Sequence, residues 1–291
     1  MTVSKPLAIA AAIGALAAFS AAGATELFPQ AKRAGAPQFD ENAALKAAVE
    51  SAGRKPENKA RDVYRRPFES LTFWGLQPGM TVIEIQPGGE AWWSEILVPY
   101  AKATGGTYLA GYNDSTNPNY SDAARKSRAD FEARFGVRAI DFGMRAGVGA
   151  PDGSADFVLV ARAFHNWART EGATERFMGE FFRVLKPGGV LAIEQHRAAE
   201  GRPVLETAEQ GYVPESYVIE AAKKAGFVLE ARSELNANPK DTKDHPFGVW
   251  TLPPVRRSAA QGQPADPNFD HSRYDAIGES DRMTLRFRKP A

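Results

Sequence analysis

Residues 82–97, VIEIQPGGEAWWSEIL, constrain the fold more tightly than any other stretch of the chain. Val82, Ile83 and Ile85 make a short apolar run rich in β-branched residues. Pro87, Gly88 and Gly89 break it, and Trp92, Ile96 and Leu97 then recur at helical spacing. The pattern predicts a buried strand over 80–86, a glycine turn, and a helix over 91–102. A turn of this kind lies beyond the carboxyl end of its strand, where ligands bind in α/β sheets. Glycine suits it because a side chain would hold the backbone away from a ligand, and the helix amino terminus offers unpaired N–H groups to an anion.

Strand and helix patterns keep alternating downstream: strand 107–112, helix 121–135, strands 137–142 and 156–162, helix 171–184, strand 189–195, helix 214–225 and strand 227–234. Such alternation implies an α/β fold with a largely parallel, doubly wound sheet. Upstream, residues 25–40 are rich in Pro, Gly and Ala and read as a loose leader. Helical patterns at Asn42–Val49 and Asn58–Trp74, the second bent at Pro67, are expected to cap the sheet. Gly188 and Gly189 are expected to end the helix before them with a left-handed cap and to open a buried strand. The last strand, Met283–Arg288, sets Met283, Leu285 and Phe287 on one face against Thr284, Arg286 and Arg288 on the other, so it reads as a sheet edge. Residues 236–281 are far longer than a hairpin needs, are rich in Asn, Asp and Pro, and include Trp250. We read them as a lid over the strand ends.

Lys5 precedes an apolar run from Leu7 to Phe19, and Ala22, Gly23 and Ala24 supply a small-residue cleavage site before Thr25. The run is about 13 residues, whereas a membrane span needs roughly 20. The expectation is a cleaved signal peptide over 1–24, a periplasmic or secreted product, and no stable membrane insertion afterwards. No paired arginines precede the run, so the chain is expected to cross unfolded and to take up any cofactor outside. Cysteine is absent, which rules out a disulfide framework. Lys plus Arg number 36 against 35 Asp plus Glu, so no global basic field draws nucleic acid, and none is expected as a partner.

Three stretches together resemble the class I S-adenosylmethionine (SAM) dependent methyltransferases. VIEIQPGGEAWWSEIL resembles their motif I, PDGSADFVLVARAFHNW (151–167) the stretch leading into strand four, and LKPGGVLAIE (185–194) the turn into strand five. That family usually has an acid, one spacer, then three glycines at alternate positions. Glu84 matches the acid and Gly88 the central glycine, while Gln86 and Glu90 stand at the outer two. RDVYRRPFESLTFWGLQPGMTVIEIQPGG (61–89), EQHRA (194–198) and GESDRMTLRFRKP (278–290) further resemble a group of exported bacterial predicted methyltransferases that brings no established substrate. The resemblance implies a Rossmann-like, doubly wound, mostly parallel seven-stranded sheet with an antiparallel last strand inserted beside strand six. It implies SAM as cofactor and a plan of signal peptide (1–24), leader and capping helices (25–75), methyltransferase-like core (76–235), lid-like insertion (236–281), and final strand and tail (282–291).

It also implies site residues. Cofactor contacts are expected at Glu84, Gln86, Gly88 and Gly89. At the end of strand two, Tyr112 or Asn113 is placed to meet a ribose hydroxyl, with Asp114 the nearest carboxylate, and Asp141 ends strand three on the adenine side. Glu90, in the first turn of the predicted helix, gains about 0.3–1 kcal/mol from the dipole but competes there with the methionine carboxylate of SAM. Glu90→Gly is therefore expected to strengthen SAM binding. His165, Asn166 and Trp167 follow strand four, where the family faces its substrate. Methyl transfer is an in-line displacement in which alignment matters most and a base serves only a protonated nucleophile, and His165 is the expected base. The Asn-Pro-Pro-aromatic signature of methyltransferases acting on DNA or glutamine is absent here. Glu194 and His196 share a face at the end of strand five, and Arg197 is a candidate to hold an anionic substrate.

The leading expectation is an exported methyltransferase acting on a small molecule. The alternative is a non-catalytic small-ligand-binding protein on the same fold, with Gln86 and Glu90 blocking the cofactor. A metal-dependent hydrolase built on His165, Glu194 and His196 ranks behind both, because the four histidines lack ligand spacing and no metal is expected.

Overall fold

The computed structural model describes residues 42–291; the expected signal peptide and residues 25–41 of the leader lie outside the described residues. Eight strands form one sheet: β1 (Thr81–Ile85), β2 (Thr107–Asn113), β3 (Ala139–Gly143), β4 (Gly147–Val148), β5 (Ala155–Ala161), β6 (Leu185–His196), β7 (Val228–Ser233) and β8 (Arg282–Arg288). Their order is β4-β3-β2-β1-β5-β6-β8-β7. The ladders from β3 through β6 are parallel, and β4 and β8 run antiparallel to their neighbours. From β1 the chain winds outward first through β2 and β3, then returns to lay β5 on the other side. This reversal opens a crevice beyond the carboxyl ends of β1 and β5, the place where such sheets bind ligands.

β1 and β5 are buried on both faces, which is why they read as apolar runs without alternation. Ile83, Val158 and Ile193 meet Phe177 and Phe181 of helix Ala173–Val184 on one face. Val82, Phe157 and Leu159 meet Trp93, Leu97 and Tyr100 on the other, where helices Ala43–Glu50 and Ser94–Thr104 close the layer. Among the described residues no helix is long and apolar enough to cross a membrane.

Several elements depart from the expected pattern. The helix after β1 starts at Ser94, three residues late, because Gln86, Gly88 and Ala91 all adopt left-handed backbone with φ of 51°, 71° and 50°. Glu90 therefore lies in a turn before the helix, and Glu95 occupies the first helical turn, where it accepts from Asn58 Nδ2 (3.0 Å) and pairs with Arg134. The helix ending at Val184 has no left-handed glycine cap; Leu185 is extended. Gly188 (φ 78°) serves an irregularity inside β6 instead, where the register jumps from Ala155↔Leu185 to Phe157↔Val190.

Strand β8 is no edge. It lies between β6 and β7, and its polar face is covered: Trp74 Nε1 donates to Leu285 O (3.1 Å), and Arg286 Nη1 donates to Phe73 O (2.7 Å). The two-residue β4 brings the sheet to eight strands and is too short to leave a sequence pattern. The lid segment is pinned at Asp241, whose buried carboxylate accepts from Tyr212 OH (3.2 Å), His245 Nε2 (2.8 Å), Lys243 N (3.0 Å) and Asp281 N (2.8 Å).

Candidate active site

A cleft of about 410 Å³ opens beyond the ends of β1, β5 and β6, within the range of roughly 300–1,000 Å³ seen for small-ligand sites. The loop after β1 contributes Gln86, Gly88 and Gly89, the turn after β5 contributes Arg162, the short helix Phe164–Ala168 that follows contributes His165 and Asn166, and β6 contributes His196. Val249, Trp250 and Pro253–Val255 of the lid roof it, and Arg61, Glu279 and Ser280 close the back. Trp250 meets the edge of His165, with ring centroids 5.7 Å apart.

At Gly88 and Gly89 a Cβ would meet no atom within 4 Å, so the backbone faces open space. Gln86 keeps a glycine-like conformation while carrying a side chain, at a cost of about 1–2 kcal/mol. Its N–H donates to Gly111 O (2.9 Å), and its Oε1 accepts from Asn166 Nδ2 (3.4 Å), which draws the amide toward the β5 loop. The Glu90 carboxylate lies 3.3 Å from Lys55 Nζ and is 63% exposed, and Glu90 lines the cleft beside Gly89.

Seven of the expected site residues lie away from the cleft. Glu84 points into the helix layer, where Ser94 Oγ (2.8 Å) and Tyr108 OH (2.7 Å) donate to it and burial pushes its carboxyl up to about 7. Tyr112 packs on Phe131 with centroids 5.0 Å apart. Asp141 is claimed by Arg128 Nη1 (2.5 Å) and by the backbone and hydroxyl of Ser115 (3.1 and 3.0 Å). Asp114 shapes a turn by accepting from Thr116 N (2.8 Å) and Ala146 N (2.9 Å). Trp167 belongs to the core with Phe142 and Phe177. Glu194 is fully buried beneath the cleft, and Arg197 is held by Glu215, Glu234 and Asp281, so its charge is spent. Gln86, Gly88, Gly89, His165, Asn166 and His196 do come together.

Both cleft histidines are held through Nδ1. Gln195 Nε2 donates to Gly211 O (2.9 Å), which turns its NH2 group toward His165 Nδ1 (3.3 Å). His165 Nδ1 must then accept, and its proton sits on Nε2. His196 Nδ1 lies 2.5 Å from Ser280 Oγ, a group that can give or take the bond, so Nε2 of His196 is free to be bare. Burial pulls the His165 pKa down to about 4 and that of His196 well below its usual value, helped for His196 by His165 and by Arg162, Arg282 and Arg61. Both rings are neutral near pH 7.

Arginines surround them. Arg162 sits in left-handed backbone (φ 56°) immediately after β5, with its N–H bonded to Glu194 O and its Nε 3.9 Å from the Glu194 carboxylate. Arg282 Nη1 lies 2.9 Å from Glu194 Oε1, an ion pair whose angles fall short of a hydrogen bond, and 3.1 Å from Glu279 Oε2. Glu279 is also reached by Arg61 (2.6 Å) and Arg65 (3.1 Å). Sequence reasoning missed Arg61, Arg162, Glu279 and Ser280. The one available signal was an arginine directly after β5, three residues before His165.

A model of the methyltransferase domain matches residues 100–193. Residues 100–193 thus match the methyltransferase domain, and the fold of the whole chain is that of class I SAM-dependent methyltransferases. Among solved structures, this chain is similar to a protein proposed to be a sarcosine dimethylglycine methyltransferase from Galdieria sulphuraria, at 15% identity over 80% of this chain and 88% of that one, with a TM-score of 0.51. It is equally similar to the [4+2]-cyclase SpnF, at 15% identity over 87% and 94% with a TM-score of 0.51. A SAM-dependent methyltransferase from Aquifex aeolicus gives 21% identity over 66% and 91%, with a TM-score of 0.45. Comparison with curated proteins gives no match. At these identities the likeness concerns fold, and a fold that carries both a methyltransferase and a cyclase leaves chemistry to the site. The site fits SAM at one decisive place: the bare backbone of Gly88 and Gly89 at the switch point leaves the room that a side chain would take.

Proposed function

We propose that this protein transfers the methyl group of SAM to a small molecule held beneath the lid. The observation that supports it is a cleft that runs from the open Gly88–Gly89 backbone to two neutral histidines, under a roof carrying Trp250. SAM, when bound, supplies a methyl group on a sulfonium sulfur. Gly88 and Gly89 would lie against it, Asn166 would steady Gln86 at the rim, and Trp250 and Val255 would keep water from the acceptor. His196 Nε2, with Ser280 orienting the ring, would take the proton of the acceptor's nucleophile. His165 Nε2–H would donate a hydrogen bond to the acceptor. The base role goes to His196 because the Gln195 contact leaves the His165 proton on Nε2, whereas the Ser280 contact leaves His196 Nε2 able to be bare.

Among the described residues no cluster of three or more His, Asp or Glu side chains could hold a metal ion. Export is part of the proposal and rests on Lys5, the Leu7–Phe19 run and the Ala22–Ala24 site. Two measurements test the whole. Calorimetry with S-adenosylhomocysteine should show binding, and methyl-labelled SAM offered with a panel of small nucleophiles should give a labelled product. Absence of S-adenosylhomocysteine binding would replace this reading with ligand binding without transfer. Amino-terminal sequencing of the natural product should begin near Thr25; an intact Met1 in a cytoplasmic fraction would remove the export proposal.

A further inference from the structure

We propose that the methyl acceptor is an anion, a small molecule whose carboxylate or phosphate is held by the guanidinium groups of Arg61 and Arg162 at the back of the cleft. The inference rests on the transfer reading above and names its substrate class.

Four guanidinium groups, those of Arg61, Arg65, Arg162 and Arg282, gather around two carboxylates, Glu194 and Glu279. Because two carboxylates are shared among four guanidinium groups, this group carries two positive charges in excess, in a region where both neighbouring histidines are neutral. Glu90, which also lines the cleft, is already matched by Lys55 Nζ at 3.3 Å. Cations buried short of counter-charge are costly, and a bound anion relieves that cost.

The two cleft-lining arginines are also short of hydrogen-bond partners. Arg61 uses Nε on Glu279 Oε1 (2.6 Å), and among the described residues its terminal nitrogens make no hydrogen bond. Arg162 makes none through its side chain: its Nε is buried without a partner, and its nearest carboxylate oxygen is 3.9 Å away. Its left-handed backbone is unfavourable for an arginine, and such strain tends to be kept where it orients a functional group. A planar guanidinium with free N–H groups matches carboxylate and phosphate oxygens. Arg197, the arginine singled out by sequence, cannot serve because three carboxylates already hold it.

The methionine carboxylate of SAM offers the same chemistry, so the test must separate the two sources. Inorganic phosphate is titrated by calorimetry into protein saturated with S-adenosylhomocysteine, using wild type, Arg162→Met and Arg61→Met. Glu194 keeps Arg282 when Arg162 is lost, and the two variants remove different cations, so one misfolded variant leaves the other to decide. The expected result is phosphate binding to the loaded wild type, weakened by about tenfold or more in each folded variant, with S-adenosylhomocysteine affinity unchanged. Equal phosphate affinity in wild type and variants overturns the proposal. So does competition between phosphate and S-adenosylhomocysteine, which would give the arginines to the cofactor. If S-adenosylhomocysteine binds to nothing, the transfer reading fails separately, and phosphate titrated into the free proteins still reports whether the subsite exists.

Discussion

Ser280 Oγ sits 2.5 Å from His196 Nδ1 across 84 residues of sequence, joining the approach to β8 to the end of β6 inside the cleft. The serine touches the ring side that faces away from the proposed acceptor and so positions it. Ser280→Ala should lower kcat by about tenfold through lost orientation, with S-adenosylhomocysteine affinity unchanged. An unaltered kcat, measured with the acceptor found by labelled SAM, would deny His196 its role.

Gly89 gives a clean probe of the cofactor space, since its φ is not left-handed and a Cβ meets nothing. Gly89→Val should fold with a melting temperature close to wild type. The stabilisation that S-adenosylhomocysteine gives the parent protein should vanish in it. Equal ligand-induced shifts in both proteins would put the cofactor elsewhere.

The acid after the glycines matters less than its position in the motif implies. Because Glu90 precedes the helix and faces Lys55, Glu90→Gly should change S-adenosylhomocysteine affinity by no more than about twofold, given the small worth of exposed charges. Gln86→Gly removes a side chain from left-handed backbone and should leave stability within about 1 kcal/mol, as relief of strain offsets the added chain entropy. Calorimetry on both variants checks this, and a large gain for Glu90→Gly would restore the expectation of direct competition.

Two buried groups tilt stability against pH in opposite directions. Glu84 is raised from 4.5 to about 7, so the stability it allows is complete below about 4.5 and is lost as pH rises toward 7. His165 is lowered from 6.5 to about 4, so its contribution is complete above about 6.5 and is lost as pH falls toward 4. Each amounts to about 3 kcal/mol as an order of magnitude. Relative to wild type, Glu84→Gln should grow more stable from pH 4.5 to 7, and His165→Gln should grow more stable from pH 6.5 down to 4. Urea unfolding of the three proteins across that range checks both slopes, and parallel curves would refute the burial of either group.

The sheet was readable because β1 and β5 are apolar on both faces and end in Gly or polar turns, signals carried within a few residues. β8 was misread because Thr284, Arg286 and Arg288 look solvated, and only the fold shows Arg286 laid against Phe73 O and Glu230. Gln86 to Gly89 were legible for the same local reason as the strands. Tyr112 and Asp141 failed because residues of the next helix, Phe131 and Arg128, claim them first. Arg61 and Arg162 are about a hundred positions apart, and nothing in the composition of either segment announces that they share a wall.

The placement of β8 reaches beyond the site. β7 touches the rest of the sheet through β8, so a chain synthesised as far as residue 281 has nowhere to dock its seventh strand. Ser280 and Arg282, which touch His196 and Glu194, arrive with that same late segment. Closure of the sheet between β6 and β7 and assembly of the cleft's rear wall are thus one event, carried by the single segment that runs from Ser280 through β8.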